Sequence, residues 1–439
     1  MAKILLIAYS FPPIEDPQAL RWYYYVKELV KQGFSIDILT INCPFKASID
    51  PLNNEPNIKI FRIFPGPFEY LALKSKHAFL SGKLANPQNL REDRKFIFLK
   101  KTYHLVKKIF SYILPGDHRT EWFPFVLYFV EKLNSKEPLK KRYQLLLTSH
   151  EPAVCSLLGL YIKKRFNLKW VADFGDPYVC IYTPKIKQKV EQYLERIVYK
   201  NADGLIFTNN TVIDELHKKY EFFSQKKVLV LYQGYDKELL NCEKNDVNLN
   251  DEDYLCSLDQ SCLNIFYAGT FYPQFRDPTI FIKAIKELNE EGLPIKFYIA
   301  GRNDHYLDEF KKYSFLHYLG YKSHKKILAI YKYFDLLVYI LNKCDIQIPG
   351  KFFEYLGTTK PILCIGYNEH KEIISILKET GVGWFIKYNV DEIKSMLKYI
   401  FELKKKGIKR IINLSKIEYY SYENQSKILS NFLIDVLKS

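Results

Sequence analysis

The sequence predicts an α/β fold made of two doubly wound parallel-sheet domains in tandem. Three observations carry this. Short apolar runs recur along the whole chain, helical periodicity fills the intervals between them, and the beat restarts after the polar, acidic stretch EKNDVNLNDEDY. At 439 residues, 48% hydrophobic and 16% aromatic, the chain has the length for two domains and the apolar surface for two cores.

The elements follow in order. KILLIAYS is a strand, ALRWYYYVKELVKQ is a helix ended by Gly33, and FSIDILTI is the next strand, which together make a βαβ unit. The beat returns at YQLLLTS, LKWVADF, DGLIFT and KVLVLYQ, closing a first domain at 1–233. An insertion at 66–125 interrupts it. There FLKKTYHLVKKIFSYI places Phe98, Leu105, Ile109 and Tyr112 on one helical side and Lys100, Lys101, His104, Lys107 and Lys108 opposite. Such a helix fits either an anionic bilayer or the surface of its own domain. The second domain, 234–415, runs through LNIFYAG, IKFYIAG, SFLHYLG, FDLLVYIL, PILCIG and VGWFIK. Residues 416–439 have helical periodicity with no strand after them, and are expected to cross back toward the first domain.

The 65 Lys and Arg against 49 Asp and Glu leave a formal charge of +16, which suits a phosphate-bearing ligand or an anionic membrane. Nucleic acid is disfavoured, because the lysines are spread through both halves without a recognised motif. A nicotinamide enzyme is disfavoured by AYSFPP, which stands where the glycine fingerprint would be. The 8 cysteines lie singly, as expected of reduced thiols in a cytoplasmic protein. The apolar run before Ser10 is too short for a secretion signal or a membrane span.

In doubly wound sheets ligands bind beyond the carboxyl ends of the strands, which directs attention to the residues following each apolar run. In IPGKFFEYLGTTKPIL, Pro349 and Gly350 open a helix whose backbone N–H groups can meet a phosphate. Lys351 adds a full charge there, and Glu354, one turn on, can accept hydrogen bonds from the vicinal hydroxyls of a ribose. Arg276, in the loop after the strand that ends at Gly269-Thr270, can join Lys351 in stabilising a departing diphosphate, or can pair with Asp277. His150 follows LLLTS and can touch a sugar or a phosphate, or serve as a structural histidine. Asp173 and Asp176 flank Phe174-Gly175 and can bind acceptor hydroxyls, move a proton, or cap a turn. Arg21 can meet an acceptor phosphate or pair with Glu15 or Asp16. No Asp-x-Asp metal motif accompanies them, since DFGD has the wrong spacing, so no catalytic metal and no cofactor is expected.

In combination, SFPP…ALRWYYYVKELVKQGFSIDILT, LLTSHEPAV, WVADFGDP, NADGLIFTNN, YQGYD, YAGTFYP and PGKFFEYLGTTKPIL resemble the GT-B-fold glycosyltransferases of family 4, over nearly the whole chain. The resemblance implies two Rossmann-like domains with a cleft between them, and retaining transfer from a nucleotide diphosphate-sugar, UDP- or GDP-linked, to a hydroxyl of a glycan or lipid-linked glycan. It further implies a role in surface-polysaccharide assembly, and the basic helical face between Phe98 and Tyr112, if it lies on a bilayer, would put the protein at the inner face of the cytoplasmic membrane. By position it makes Gly269, Thr270, Arg276, Tyr321, Pro349, Gly350, Lys351 and Glu354 the donor site, with Tyr321 bordering the base. Arg276, Lys351 and His150 become the catalytic groups, and Pro13, Asp16, Arg21, Asp173 and Asp176 the acceptor side. The chain departs from the family at three points. Ile346 stands where the first of two paired glutamates is usual, Thr270 where an arginine follows glycine, and Ile14-Glu15-Asp16-Pro17 lacks the usual loop glycine. The first two of these departures, Ile346 and Thr270, favour an alternative, a catalytically silent subunit of the same fold that binds sugar nucleotide or glycan.

Overall fold

The computed structural model describes residues 2–44, 52–80, 112, 114–179, 183–240, 255, 258–343 and 347–439. The chain divides into two compact units, Met1–Leu231 with Ser426–Ser439, and Tyr232–Gln425.

The first unit holds strands β1 (Lys3–Ile7), β2 (Ser35–Ile41), β3 (Ile58–Ile63), β4 (Leu145–Ser149), β5 (Lys169–Phe174), β6 (Gly204–Phe207) and β7 (Lys227–Val230). All pair in parallel, in the order β3-β2-β1-β4-β5-β6-β7. Helices α1 (Pro17–Lys31), α2 (Pro67–Leu80), α3 (Phe123–Lys136), α4 (Val154–Phe166), α5 (Lys185–Asn201) and α6 (Asn210–Lys219) occupy the connections. The centre of the sheet is apolar on both faces, with β1 from Ile4 to Ile7 and β4 throughout buried, as a sheet covered on both sides requires. The α1 helix begins where Asp16 accepts a hydrogen bond from the Ala19 N–H and Pro17 supplies a preset φ, and it stops before Gly33, which has φ +89°.

The second unit holds β8 (Leu263–Ala268), β9 (Ile295–Ala300), β10 (Leu316–Gly320), β11 (Leu336–Ile340), β12 (Ile362–Gly366) and β13 (Gly383–Lys387). They are parallel, in the order β10-β9-β8-β11-β12-β13. Between them run α7 (Thr279–Glu290), α8 (His324–Ile330), α9 (Gly350–Gly357), α10 (Lys371–Thr380) and α11 (Val390–Lys405). Ile265, Phe297, Val338 and Leu363 from the sheet pack with Phe281, Ile285, Ile393 and Leu397 of α7 and α11 in one core. The last helix, α12 (Tyr422–Lys438), passes from Gln425 in the second unit to Ser426 in the first.

The strand order of each sheet reverses beside its first strand, between β1 and β4 and between β8 and β11. Those two switch points are where an open α/β sheet leaves a crevice at its carboxyl edge. Strand β3 is an addition to the elements read from the sequence. The amphipathic reading of Phe98 to Ile109, the acidic stretch after Cys242 and the departure at Ile346 fall outside the described residues. No helix among the described residues is long and apolar enough to cross a membrane.

Candidate functional site

The switch point of the second sheet is built by α9 gripping the end of β8. The Ala268 N–H donates to the Tyr355 hydroxyl at 2.8 Å, and the Lys351 ammonium donates to the Ala268 carbonyl at 2.9 Å. Lys351 and Tyr355 are one helical turn apart, so a single face of α9 holds both the N–H and the carbonyl of one residue. The chain beyond is held just as closely. The Gly269 N–H donates to the Ala300 carbonyl at 2.7 Å, Asn303 donates to the Gly269 carbonyl at 3.0 Å, and the Phe271 N–H donates to Asn303 Oδ1 at 2.7 Å. Gly301 has φ +146°, and a Cβ there would collide with the Gly269 carbonyl oxygen, so the two strand ends approach as only glycine allows.

Around this frame stand the predicted donor residues. Lys351 is half-buried, and burial, with the nearby Arg276 charge acting the same way, lowers its pKa against the raising effect of Glu354. Its ammonium keeps further donors beyond the bond to Ala268. Glu354 accepts from the Tyr331 hydroxyl at 2.9 Å through Oε2, and its Oε1 lies 3.7 Å from His324 Nδ1. Arg276 sits on a tight loop bridged to Tyr272; its Nη1 donates to the Tyr267 hydroxyl at 3.4 Å and its guanidinium lies 5.7 Å from the Tyr339 ring centre. Asp277, the alternative partner, instead accepts from the Thr279 N–H and hydroxyl at the start of α7 and from Tyr306. Pro349 is the residue before α9, and Gly350 opens the helix. Thr270 is half-buried beside Gly269, and Tyr321 is exposed after β10 with the Arg302 guanidinium 4.8 Å from its ring centre. Asn303 and Tyr355, which shape the turn, were not singled out by the sequence; a buried asparagine three residues past a strand and a tyrosine inside a helix carry no local signal of such contacts.

In the first unit the structure corrects the acceptor-side expectation at two positions. Arg21 and Asp173 are fully buried and bound to each other, with Nη2 to Oδ1 at 2.9 Å and Nε to Oδ2 at 3.4 Å. Asp173 also accepts from Gln18 and from the Trp22 indole, both at 3.0 Å, and Arg21 donates to the Leu231 carbonyl at 2.9 Å. This is an internal strut tying α1 to β5 and to the residue after β7, and no surface remains on either group for an acceptor. Of the two partners foreseen for Arg21, Glu15 and Asp16, the latter is the cap of α1, accepting from the Ala19 N–H at 2.8 Å. Pro13 is half-buried in the loop before it.

His150 is buried, its Nδ1 2.9 Å from the Ser156 hydroxyl and its ring 4.4 Å from Tyr178 and 4.8 Å from Phe174, centre to centre. Burial pushes its pKa down to about 3, so it offers a neutral ring and no positive charge to a phosphate. The contact with a phosphate through charge is thereby withdrawn. Asp176 is exposed, and it shares a hydrogen bond with Glu151, the residue after His150. Burial first, then the charges of Asp176, Asp16 and Asp173, raise the Glu151 pKa well above the usual carboxylate range. Glu151 therefore brings a second carboxyl to the end of β4 beside Asp176. Its place at a strand end was legible, but its pairing across the Gly175 turn was not. Among the described residues no group of three or more His, Cys, Asp or Glu side chains is placed to hold a metal ion.

No protein-family model matches the chain, and no curated protein matches it. Solved structures do. A sucrose-phosphate synthase from Thermosynechococcus elongatus superposes with a TM-score of 0.66 at 14% identity, covering 100% of both chains. A glycosyltransferase from Rickettsia africae gives 0.64 at 12% identity, covering 100% of this chain and 99% of that one. A UDP-GlcNAc 2-epimerase from Methanocaldococcus jannaschii gives 0.55 at 11% identity over 99% of each. With two parallel sheets of 7 and 6 strands, the chain has the GT-B fold.

Proposed function

We propose that the protein is a glycosyltransferase that moves a sugar from a UDP- or GDP-linked donor to a hydroxyl of a glycan or lipid-linked glycan. On this reading it works with retention in surface-polysaccharide assembly at the inner face of the cytoplasmic membrane. The observation that supports it most is the convergence of Lys351, Glu354 and Arg276 at the switch point beside the end of β8, two cations and an acid around one rigid turn. Glu354, steadied by Tyr331, would take the ribose hydroxyls. Lys351 and Arg276 would face the diphosphate and stabilise the negative charge that grows on it as the sugar leaves, so the reaction would need no metal to do this. Asp176 with Glu151, and the neutral ring of His150, would orient sugar or acceptor hydroxyls. Retention and the acceptor class rest on the family resemblance, and the sugar-nucleotide names of structural neighbours are consistent with the donor class. Thr270, which brings no charge to the turn, is what favours a binding subunit without turnover.

A thermal-shift screen of the purified protein against UDP-, GDP-, dTDP- and CDP-sugars tests the donor half, because a ligand of the folded state raises the midpoint. The expected result is a shift with a UDP- or GDP-sugar that disappears in Lys351→Ala and Glu354→Ala; no response to any donor would overturn the proposal. Product analysis then separates the activities. Transfer to an acceptor is expected, epimerised donor would point to the other activity found on this fold, and binding without turnover to the silent subunit.

A further inference from the structure

The exposed side of α5 has the composition of a buried face. Ile186, Val190 and Tyr193 are 79%, 54% and 65% exposed, at positions i, i+4 and i+7 of a 17-residue helix, so they form one stripe. Flanking them on the exposed side are Lys185, Lys189, Arg196 and Lys200. The two acids of the helix, Glu191 and Glu195, are turned inward and buried. Glu191 accepts from the Gly116 N–H at 2.8 Å and Glu195 from Lys219 and Tyr220 at 2.6 and 2.8 Å, while Lys187 donates to the Leu114 and Gly116 carbonyls. The helix is thus fastened to its unit by Lys187, Glu191 and Glu195 and presents its apolar residues outward beside four cations, with neither of its own acids on that side. Just before the clasped residues 114–116, Tyr112 is a further large side chain left 48% exposed.

We propose that this face of α5 is a docking surface for an anionic lipid bilayer. Ile186, Val190 and Tyr193 enter the boundary between headgroups and acyl chains, and Lys185, Lys189, Arg196 and Lys200 lie against the lipid phosphates. Charge complementarity selects this partner over a second copy of the chain. In a two-fold dimer the same face meets itself, which would set these four cations against one another with both acids of the helix turned away. The surface deepens the membrane-side part of the proposed function but uses nothing of the donor site, so either can fail alone.

Co-sedimentation of the full chain with vesicles tests it. The protein is expected to pellet with phosphatidylglycerol–phosphatidylcholine vesicles and not with phosphatidylcholine alone, and to be released as salt rises to about 0.5 M. Ile186→Ser/Val190→Ser/Tyr193→Ser should lower partitioning at least about tenfold, since three side chains lose their apolar contact. Lys185→Gln/Lys189→Gln/Arg196→Gln/Lys200→Gln should do the same and flatten the salt dependence. Both variants should keep the thermal unfolding midpoint of the parent, which shows that they are folded. Three results would each overturn the proposal: anionic vesicles that fail to bind the parent, variants that bind as the parent does, or release by soluble glycerol phosphate. So would a concentration-dependent dimer in sedimentation velocity that the serine variant abolishes, because it would give the face to a second copy.

Discussion

Asp173 and His150 look alike as residues at strand ends, and each could be read from sequence as a ligand contact or as part of the frame. The structure separates them by burial and partners. Asp173 collects Arg21, Gln18 and Trp22, so its carboxylate is fully used inside the first unit. Removing one partner of a buried ion pair strands the other charge, and Asp173→Ala should lower stability by about 3–5 kcal/mol, read from denaturant unfolding. A loss below about 1 kcal/mol would mean that Arg21 has another outlet. His150 makes a pH prediction. Its folded pKa of about 3 lies below the unfolded value near 6.5, so between those values only the unfolded chain takes up the proton. Its contribution to stability is complete above that upper limit and is lost as the pH falls toward 3. In His150→Gln the decline of stability across this acid window should be shallower by up to about 1.4 kcal/mol per pH unit. An unchanged slope would show that the ring is charged in the fold. At this scale the sequence shows which positions reach a strand end, because apolar runs mark the strands. It does not show which side chains turn inward, because Arg21 and Asp173 are 152 residues apart and meet only through the sheet.

Among elements, α9 matters most to the site, because it fixes the end of β8 through Lys351 and Tyr355 while presenting Glu354. Tyr355→Phe removes the acceptor of the Ala268 N–H and leaves a buried donor unsatisfied, a cost of about 1–3 kcal/mol. The expected outcome is a lower unfolding midpoint together with weaker nucleotide binding; a variant that loses neither would show that the turn stands without this bond. The apolar strands of both sheets were legible because central parallel strands are buried on both faces and read as continuous runs. Strand β3 was not, since it lies at the sheet edge and Lys59 and Arg62 break its apolar residues into short pieces. The α5 helix was hidden for a related reason: Lys187, Glu191 and Glu195 face inward, so its periodicity resembles that of an ordinary surface helix.

For the whole molecule, the sequence yields the doubly wound plan directly, because each repeat of strand and helix leaves only a parallel sheet with right-handed crossovers as its solution. The positions of the two switch points then follow from strand order, which pairing decides and composition does not reveal. Of the cations behind the formal charge of +16, Lys351 and Arg276 stand at the turn after β8, and Lys185, Lys189, Arg196 and Lys200 on the α5 face. The central claim is that the turn between β8 and α9 receives a nucleoside diphosphate. The most direct measurement is a crystal structure of the protein with UDP or GDP bound. The pyrophosphate should lie within hydrogen-bond distance of Lys351 Nζ and beside the Arg276 guanidinium, with the ribose hydroxyls on Glu354. A nucleotide bound at another place, or one that leaves the Lys351 bond to Ala268 and the Glu354 bond to Tyr331 as its only neighbours, would contradict it.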